Sequence, residues 1–153
     1  MIVIDENLHD QRVMQTVASW YPGQVVSVTT LRPGSVIKDE AIPALLLKAV
    51  QPTFITNNVA DFWRKVQPHK GYCIVTVALP KERIHEVPDL LRRLFRLPEF
   101  RTRALRMGKV VCGLASSEHV PARHSHCRST AQSSTACARC VDLERIPIGS
   151  PHP

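Results

Sequence analysis

Residues 73–79, Cys-Ile-Val-Thr-Val-Ala-Leu, decide the fold of this chain. The stretch is apolar enough to be buried on both faces, which suits an inner strand of a parallel sheet whose crossovers cover both sides. Working outward, residues 53–56 (Thr-Phe-Ile-Thr), 24–29 (Gln-Val-Val-Ser-Val-Thr) and 2–5 (Ile-Val-Ile-Asp) are further short β-branched runs, and residues 108–114 (Gly-Lys-Val-Val-Cys-Gly-Leu) supply a last strand. Helical spacing separates them. Val13, Met14, Val17, Ala18 and Tyr21 recur at three and four residues within 9–21, until Pro22-Gly23 stops the pattern. Ile42, Leu45, Leu46, Ala49 and Val50 mark a second helical face, with Pro43 tolerable in its first turn and Gln51-Pro52 after its end. Pro88 opens a third helix, with Leu90, Leu91, Leu94 and Phe95 on one side and Arg92, Arg93 and Arg96 on the other. Strand and helix alternate throughout, which predicts an α/β fold with a mostly parallel sheet and helices on both sides.

The chain has 153 residues, enough for one domain of ordinary size. With 44% hydrophobic and 22% charged residues it is composed like a globular protein, which excludes collagen, coiled coil and wholesale disorder. No apolar run reaches the roughly 20 residues that span a bilayer, and Asp5 and Glu6 stand where an export signal carries basic residues. A cytoplasmic location without membrane contact is expected. Residues 117–153 are rich in Ser, Arg, Pro, His and Cys and show neither period, so the domain is expected over 1–116 and a disordered tail over 117–153. In the tail, Cys137-x2-Cys140 with Cys127 and His124 or His126 is half of a zinc pattern lacking a second C-x2-C. Five cysteines, an odd number, argue against a disulfide framework.

Charge is unevenly placed. Residues 1–61 carry a net charge of −2, whereas residues 62–110 carry twelve Lys and Arg against four Asp and Glu, a net of +8. A basic segment beside an acidic one is suited to holding a polyanion near a group of carboxylates.

In an open parallel sheet, ligands bind beyond the carboxyl ends of the strands. Three such places are polar: Asp5-Glu6-Asn7 after the first strand, Asp39-Glu40 before the second helix, and Thr56-Asn57-Asn58-Val59-Ala60-Asp61-Phe62 after the third strand. Folded as above, they present Asp5, Asp39 or Glu40, Asn58 and Asp61 to a common cleft. Carboxylates gathered in this way repel one another unless a hard cation neutralises them, and Mg²⁺ or Mn²⁺ prefers oxygen ligands. The competing explanation is local. Asp5 or Asn7 would cap the first helix, Asp39 the second, and Asn57 or Asn58 would be a turn residue. No G-x-S-x-G, Rossmann fingerprint or P-loop occurs, and Cys73 and Cys112 lie in apolar strands as small hydrophobes. Trp63 reads as a core anchor.

The segments Asp5-Glu6-Asn7-Leu8, Asp39-Glu40 and Ile55-Thr56-Asn57-Asn58-x-x-Asp61-Phe62 resemble, in that order, the compact toxin-like group of PIN-like nucleases. The resemblance covers about residues 1–115. It implies a three-layer α/β/α sandwich and a Mg²⁺- or Mn²⁺-dependent site that hydrolyses RNA phosphodiester bonds. Asp5 then matches the first metal-binding acid, Asp39 or Glu40 the second, and Asp61 the last. The chain departs from the family at Asn58, where an acid usually stands, and Asp61 is displaced by one residue. On this reading the protein is a metal-dependent endoribonuclease, the toxin of a toxin–antitoxin pair, with Asp5, Asp39, Glu40, Asn58 and Asp61 at its centre. Arg92, Arg93, Arg96, Arg103, Arg106 and Lys109 would hold the RNA backbone. Its partners would be RNA, a protein antitoxin and a second copy of the chain. The alternative is a catalytically degenerate module that binds RNA or a protein partner.

Overall fold

The computed structural model describes residues 1–34, 37–58 and 67–114. Five strands, β1 (Ile2–Ile4), β2 (Val25–Ser27), β3 (Thr53–Thr56), β4 (Cys73–Val77) and β5 (Val110–Leu114), form one sheet in the order β2-β1-β3-β4-β5. Every pairing is parallel. Successive side chains point to opposite faces, and both faces are covered. Ile2, Ile4, Ile55, Val75 and Val111 pack with Val13 and Val17 of helix α1 (Gln11–Trp20) and Leu90, Leu91 and Leu94 of helix α4 (Val87–Leu94). Val3, Phe54, Ile74 and Val110 pack with Val28 of α2 (Val28–Leu31) and Ile42, Leu45 and Leu46 of α3 (Ile42–Leu46). The α/β/α sandwich expected from the alternation is the observed architecture. No described helix is long and apolar enough to cross a membrane. The tail expected over 117–153, with its Cys and His residues, lies outside the described residues, as does Trp63.

Three elements differ from the sequence reading. The second strand was expected over 24–29 but stops at Ser27, whose Oγ accepts from the Thr29 amide at 3.4 Å and so caps α2. The cap, worth about 1 kcal/mol, and the burial of Val28, roughly 1.5–3 kcal/mol, outweigh a helix-propensity cost of up to about 0.7 kcal/mol for each of Val28, Thr29 and Thr30. Helix α3 ends at Leu46, so Val50, expected on its buried face, is 73% exposed. The chain must turn there to enter β3, and Gln51 does so with a φ of 48°, next to a proline that disfavours helical backbone before it. The first helix begins only at Gln11, because Asp10 caps it through bonds from the Arg12 amide at 2.7 Å and the Val13 amide at 3.3 Å. Residues Glu6–Leu8 make a separate 3-10 turn.

At its far end β5 is bulged. Val75 pairs with Val111 but Val77 pairs with Leu114, so Val111 and Leu114, three residues apart, both face the α1–α4 layer.

The amino edge of the sheet is closed by Arg106, in the short helix α5 (Arg103–Arg106). It was expected on an RNA-binding surface, yet it is 3% exposed and its guanidinium is spent inside the protein. Nε donates to Thr53 Oγ1 at 3.2 Å, Nη1 to the Phe100 carbonyl at 2.9 Å and Nη2 to the Tyr21 hydroxyl at 3.4 Å. The group also lies 4.1 Å from the centre of the Phe95 ring, which meets Trp20 edge-on. Desolvation draws its pKa below the ordinary arginine value, and the guanidinium remains a cation, as arginine does in proteins. Arg106→Met keeps the stem and strands the Thr53 and Phe100 acceptors. It should lower unfolding free energy by about 1–3 kcal/mol in urea titration, against less than about 0.5 kcal/mol for exposed Arg103→Met. Equal effects would remove Arg106 from the fold's framework.

Candidate active site at the carboxyl edge of the sheet

The strand order reverses direction between β1 and β3, and that reversal is where open parallel sheets form a crevice. Asp5 follows β1 there. Its amide still donates to the Ile55 carbonyl at 2.9 Å, which holds the residue in the ladder, while its carbonyl accepts from the Leu8 amide and turns the chain away. Alternation places its side chain on the same face as Val3, the α2–α3 side, where it is only 6% exposed.

Thr56, the last residue of β3, lies on that face too, paired across the ladder with Thr76 of β4. Its Oγ1 donates to Asp5 Oδ2 at 2.6 Å and accepts from the Asn58 amide at 3.0 Å. The first bond is short, as hydrogen bonds to carboxylates are. The second is the local turn that Ser and Thr hydroxyls make with the backbone two residues on. Asn58 then donates from Nδ2 to Asp39 Oδ2 at 3.1 Å. Asp39 opens the 3-10 turn Asp39–Ala41, held down by buried Ile37 and Ile42 on either side. A chain of three hydrogen bonds therefore joins Asp39, Asn58, Thr56 and Asp5, drawn from three segments, with Thr56 51 residues from Asp5.

This geometry disposes of the local explanations for the two acids. Asp5 has extended backbone and precedes a 3-10 turn, but its carboxylate caps nothing; Asp10 is the cap of the first helix. Lys38 occupies the cap position before Asp39, whose carboxylate reaches Asn58 instead. Asn58 is a turn residue through its amide and a bridge through its side chain. Glu40 is exposed beside Asp39, and Asp61 lies outside the described residues.

Among the described residues no three His, Cys, Asp or Glu side chains gather closely enough to hold a metal. Two carboxylates and an amide carbonyl make an all-oxygen donor set, and Mg²⁺ is ordinarily held by one or two carboxylates with water and substrate phosphate. The donor chemistry of Asp5, Asp39 and Asn58 fits such an ion. Cys73 opens β4 at the opposite, amino edge, where burial pushes its thiol up to about 12, so it stays protonated at neutral pH. A groove of about 340 Å³ lined by Asp10, Arg12, Lys81, Glu82 and His85 lies at the α1–α4 side and includes none of the linked residues.

The basic residues expected to hold RNA are not beside the carboxylates. Arg92 and Arg93, in the last turn of α4, and Arg96 and Arg103 are exposed, whereas Lys109 donates to the Glu99 carbonyl at 2.6 Å and lies over the Phe100 ring. Thr56 is the residue that sequence reasoning underrated. Its signal was a threonine closing an apolar strand with an Asn two places on. Compared with protein-family models, curated proteins and solved structures, the chain matches none.

Thr56→Val removes the hydroxyl at nearly constant shape and leaves Asp5 and the Asn58 amide without their partner. It should cost about 1.5–3 kcal/mol of stability at neutral pH, the range for a hydrogen bond to a charged group, while Thr56→Ser should recover most of it. A Val variant as stable as wild type would mean that the bond to Asp5 does not order the edge.

Proposed function

We propose that this protein is a metal-dependent ribonuclease whose centre is the linked set Asp5, Thr56, Asn58 and Asp39. The observation that supports it is the Asp5–Thr56 bond at the strand reversal, which fixes a nearly buried carboxylate that has no capping task and, among the described residues, no ion pair. Mg²⁺ or Mn²⁺ bound by these oxygens would supply a Lewis acid for a phosphate oxygen and a water of lowered pKa.

The chain's own part is positioning. Thr56 occupies Oδ2 of Asp5, which would leave Oδ1 to help hold the ion. Asp39 brings a second carboxylate from another segment, and the Asn58 amide fixes its orientation. Asp61 is the further acid that the resemblance adds. Two carboxylates set close together repel, and the neutral donors of Thr56 and Asn58 offset part of that cost.

One observation favours the second reading, a module that binds but does not cut. The Asn58 side chain donates to Asp39 and so does for that carboxylate part of what a cation would do. Asn58→Asp separates the two readings. In a ribonuclease centre it places a third carboxylate against Asp39, which lowers the melting temperature without metal and raises both Mn²⁺ affinity and the rate of RNA cleavage. Asp5→Asn should lower that rate by at least the roughly 10–100-fold that loss of an outer partner costs a metal site. Cleavage assays with Mn²⁺ and with chelator, beside melting curves for each protein, provide the check. Mn²⁺-independent melting in wild type and Asn58→Asp alike, with no cleavage, would leave the binding module.

A further inference from the structure

The parallel topology sorts the charges of this protein to opposite ends. Asp5, Asp39 and Asn58 mark the carboxyl edge. Helix α4 follows β4 and runs back antiparallel to the strands, so its last turn, with Arg92 and Arg93, arrives at the amino edge. Phe95 fixes the level, because its ring stacks on Arg106 and Arg106 bonds Thr53, the first residue of β3. Arg96, Arg101 and Arg103 lie on the segment between that turn and the end of α5, and all five of these arginines are exposed. From residue 90 to residue 114 the only acid is Glu99. Among the described residues the one ion pair is Arg83–Glu86, so none of the five is neutralised by a carboxylate there. Of these five, Arg103 lowers the pKa of the Met1 amine together with the buried Arg106, after the larger effect of burial.

Collecting guanidinium groups that have no carboxylate partner among the described residues costs self-repulsion. A phosphate backbone offsets it, and the planar fork of Arg matches phosphate oxygens two at a time. We infer that the amino edge is a docking surface for the backbone of single-stranded RNA, separate from the carboxylate site. For the docked strand to be the substrate rests on the ribonuclease reading above, and it then fixes the substrate class. The level of Thr53 and the level of Thr56 are three residue steps apart on β3, about 10 Å. A strand engaged at both edges must be an oligonucleotide, and it must bend around the domain, which a stiff duplex resists.

The test uses a fluorescein-labelled oligouridylate of about 20 nucleotides, longer than the site size of a typical single-strand groove. Binding is followed by anisotropy over a salt series in chelator, for wild type, the triple variant Arg92→Gln/Arg93→Gln/Arg96→Gln, the matching triple Lys variant, and Asp5→Asn. Three lost phosphate contacts should lower the slope of log K against log salt by about 2. The Lys variant should keep the wild-type slope, and so should Asp5→Asn. With Mn²⁺ added, the Gln variant should lose kcat/KM on the oligonucleotide and retain the wild-type rate on bis(4-nitrophenyl) phosphate, a diester with no backbone to dock. An unchanged salt slope in the Gln variant overturns the docking surface, and polyglutamate competing as well as RNA would reassign it to an acidic protein. If wild type binds with the predicted slope but cleaves neither substrate, the ribonuclease reading fails and the docking surface stands.

Discussion

A parallel sheet has two apolar faces and neither can be left to water. That constraint organises the molecule. Each strand must return to the same edge before the next can pair, so every connection is a crossover, and the crossovers are what cover the faces: α1 and α4 on one side, α2 and α3 on the other. The strands are three to five residues long, and their interior positions are apolar almost without exception. The polar chemistry is thereby pushed to the edges, where chain direction gives each edge a character. The carboxyl edge collects the residues that follow strands, and the amino edge collects those that precede them.

The Asp5–Thr56 contact is a product of this arrangement. Asp5 and Thr56 are neighbours because β1 and β3 pair in register, Ile4 beside Ile55, and because each leaves its strand with the side chain on the α2–α3 face. Moving either strand by one residue would turn one of the two to the opposite face. Register, fixed by the buried Ile4, Phe54 and Ile55, is therefore what places a carboxylate against a hydroxyl at the reversal in strand order.

Much of this is legible in the sequence. Residues 73–77 and 53–56 read as inner strands because burial on both faces needs continuous apolar, β-branched runs, and Pro88 and Pro43 mark helix starts through a property of the proline ring alone. The convergence of Asp5, Asp39 and Asn58 also follows from strand order and crossovers. What escapes is decided by contacts between distant segments. Nothing near Ser27 announces that it will cap a helix of β-branched residues, since the burial of Val28 against α3 is tertiary. Arg106 looks like its neighbours Arg103 and Lys109 in a basic run, and only the aromatic group of Trp20, Tyr21 and Phe95, contributed by two other helical segments, makes it an interior residue. The hydroxyl of Thr56 carries no local sign of its partner 51 residues away.

The bulge in β5 bears on how this protein lives in company. Among the described residues the sheet ends in β2 and β5, and the unpaired backbone donors and acceptors of an edge strand are a template on which another chain's strand can grow. On one side β2 is only three residues long and turns at once into α2, leaving little template. On the other, β5 is five residues long, among the longest strands, and its register slips between Val75 and Val77 of its neighbour. An irregular edge offers no straight run of backbone for a second sheet to extend, so the slip that lets Leu114 rejoin the core also guards the longer border against fibril-like stacking.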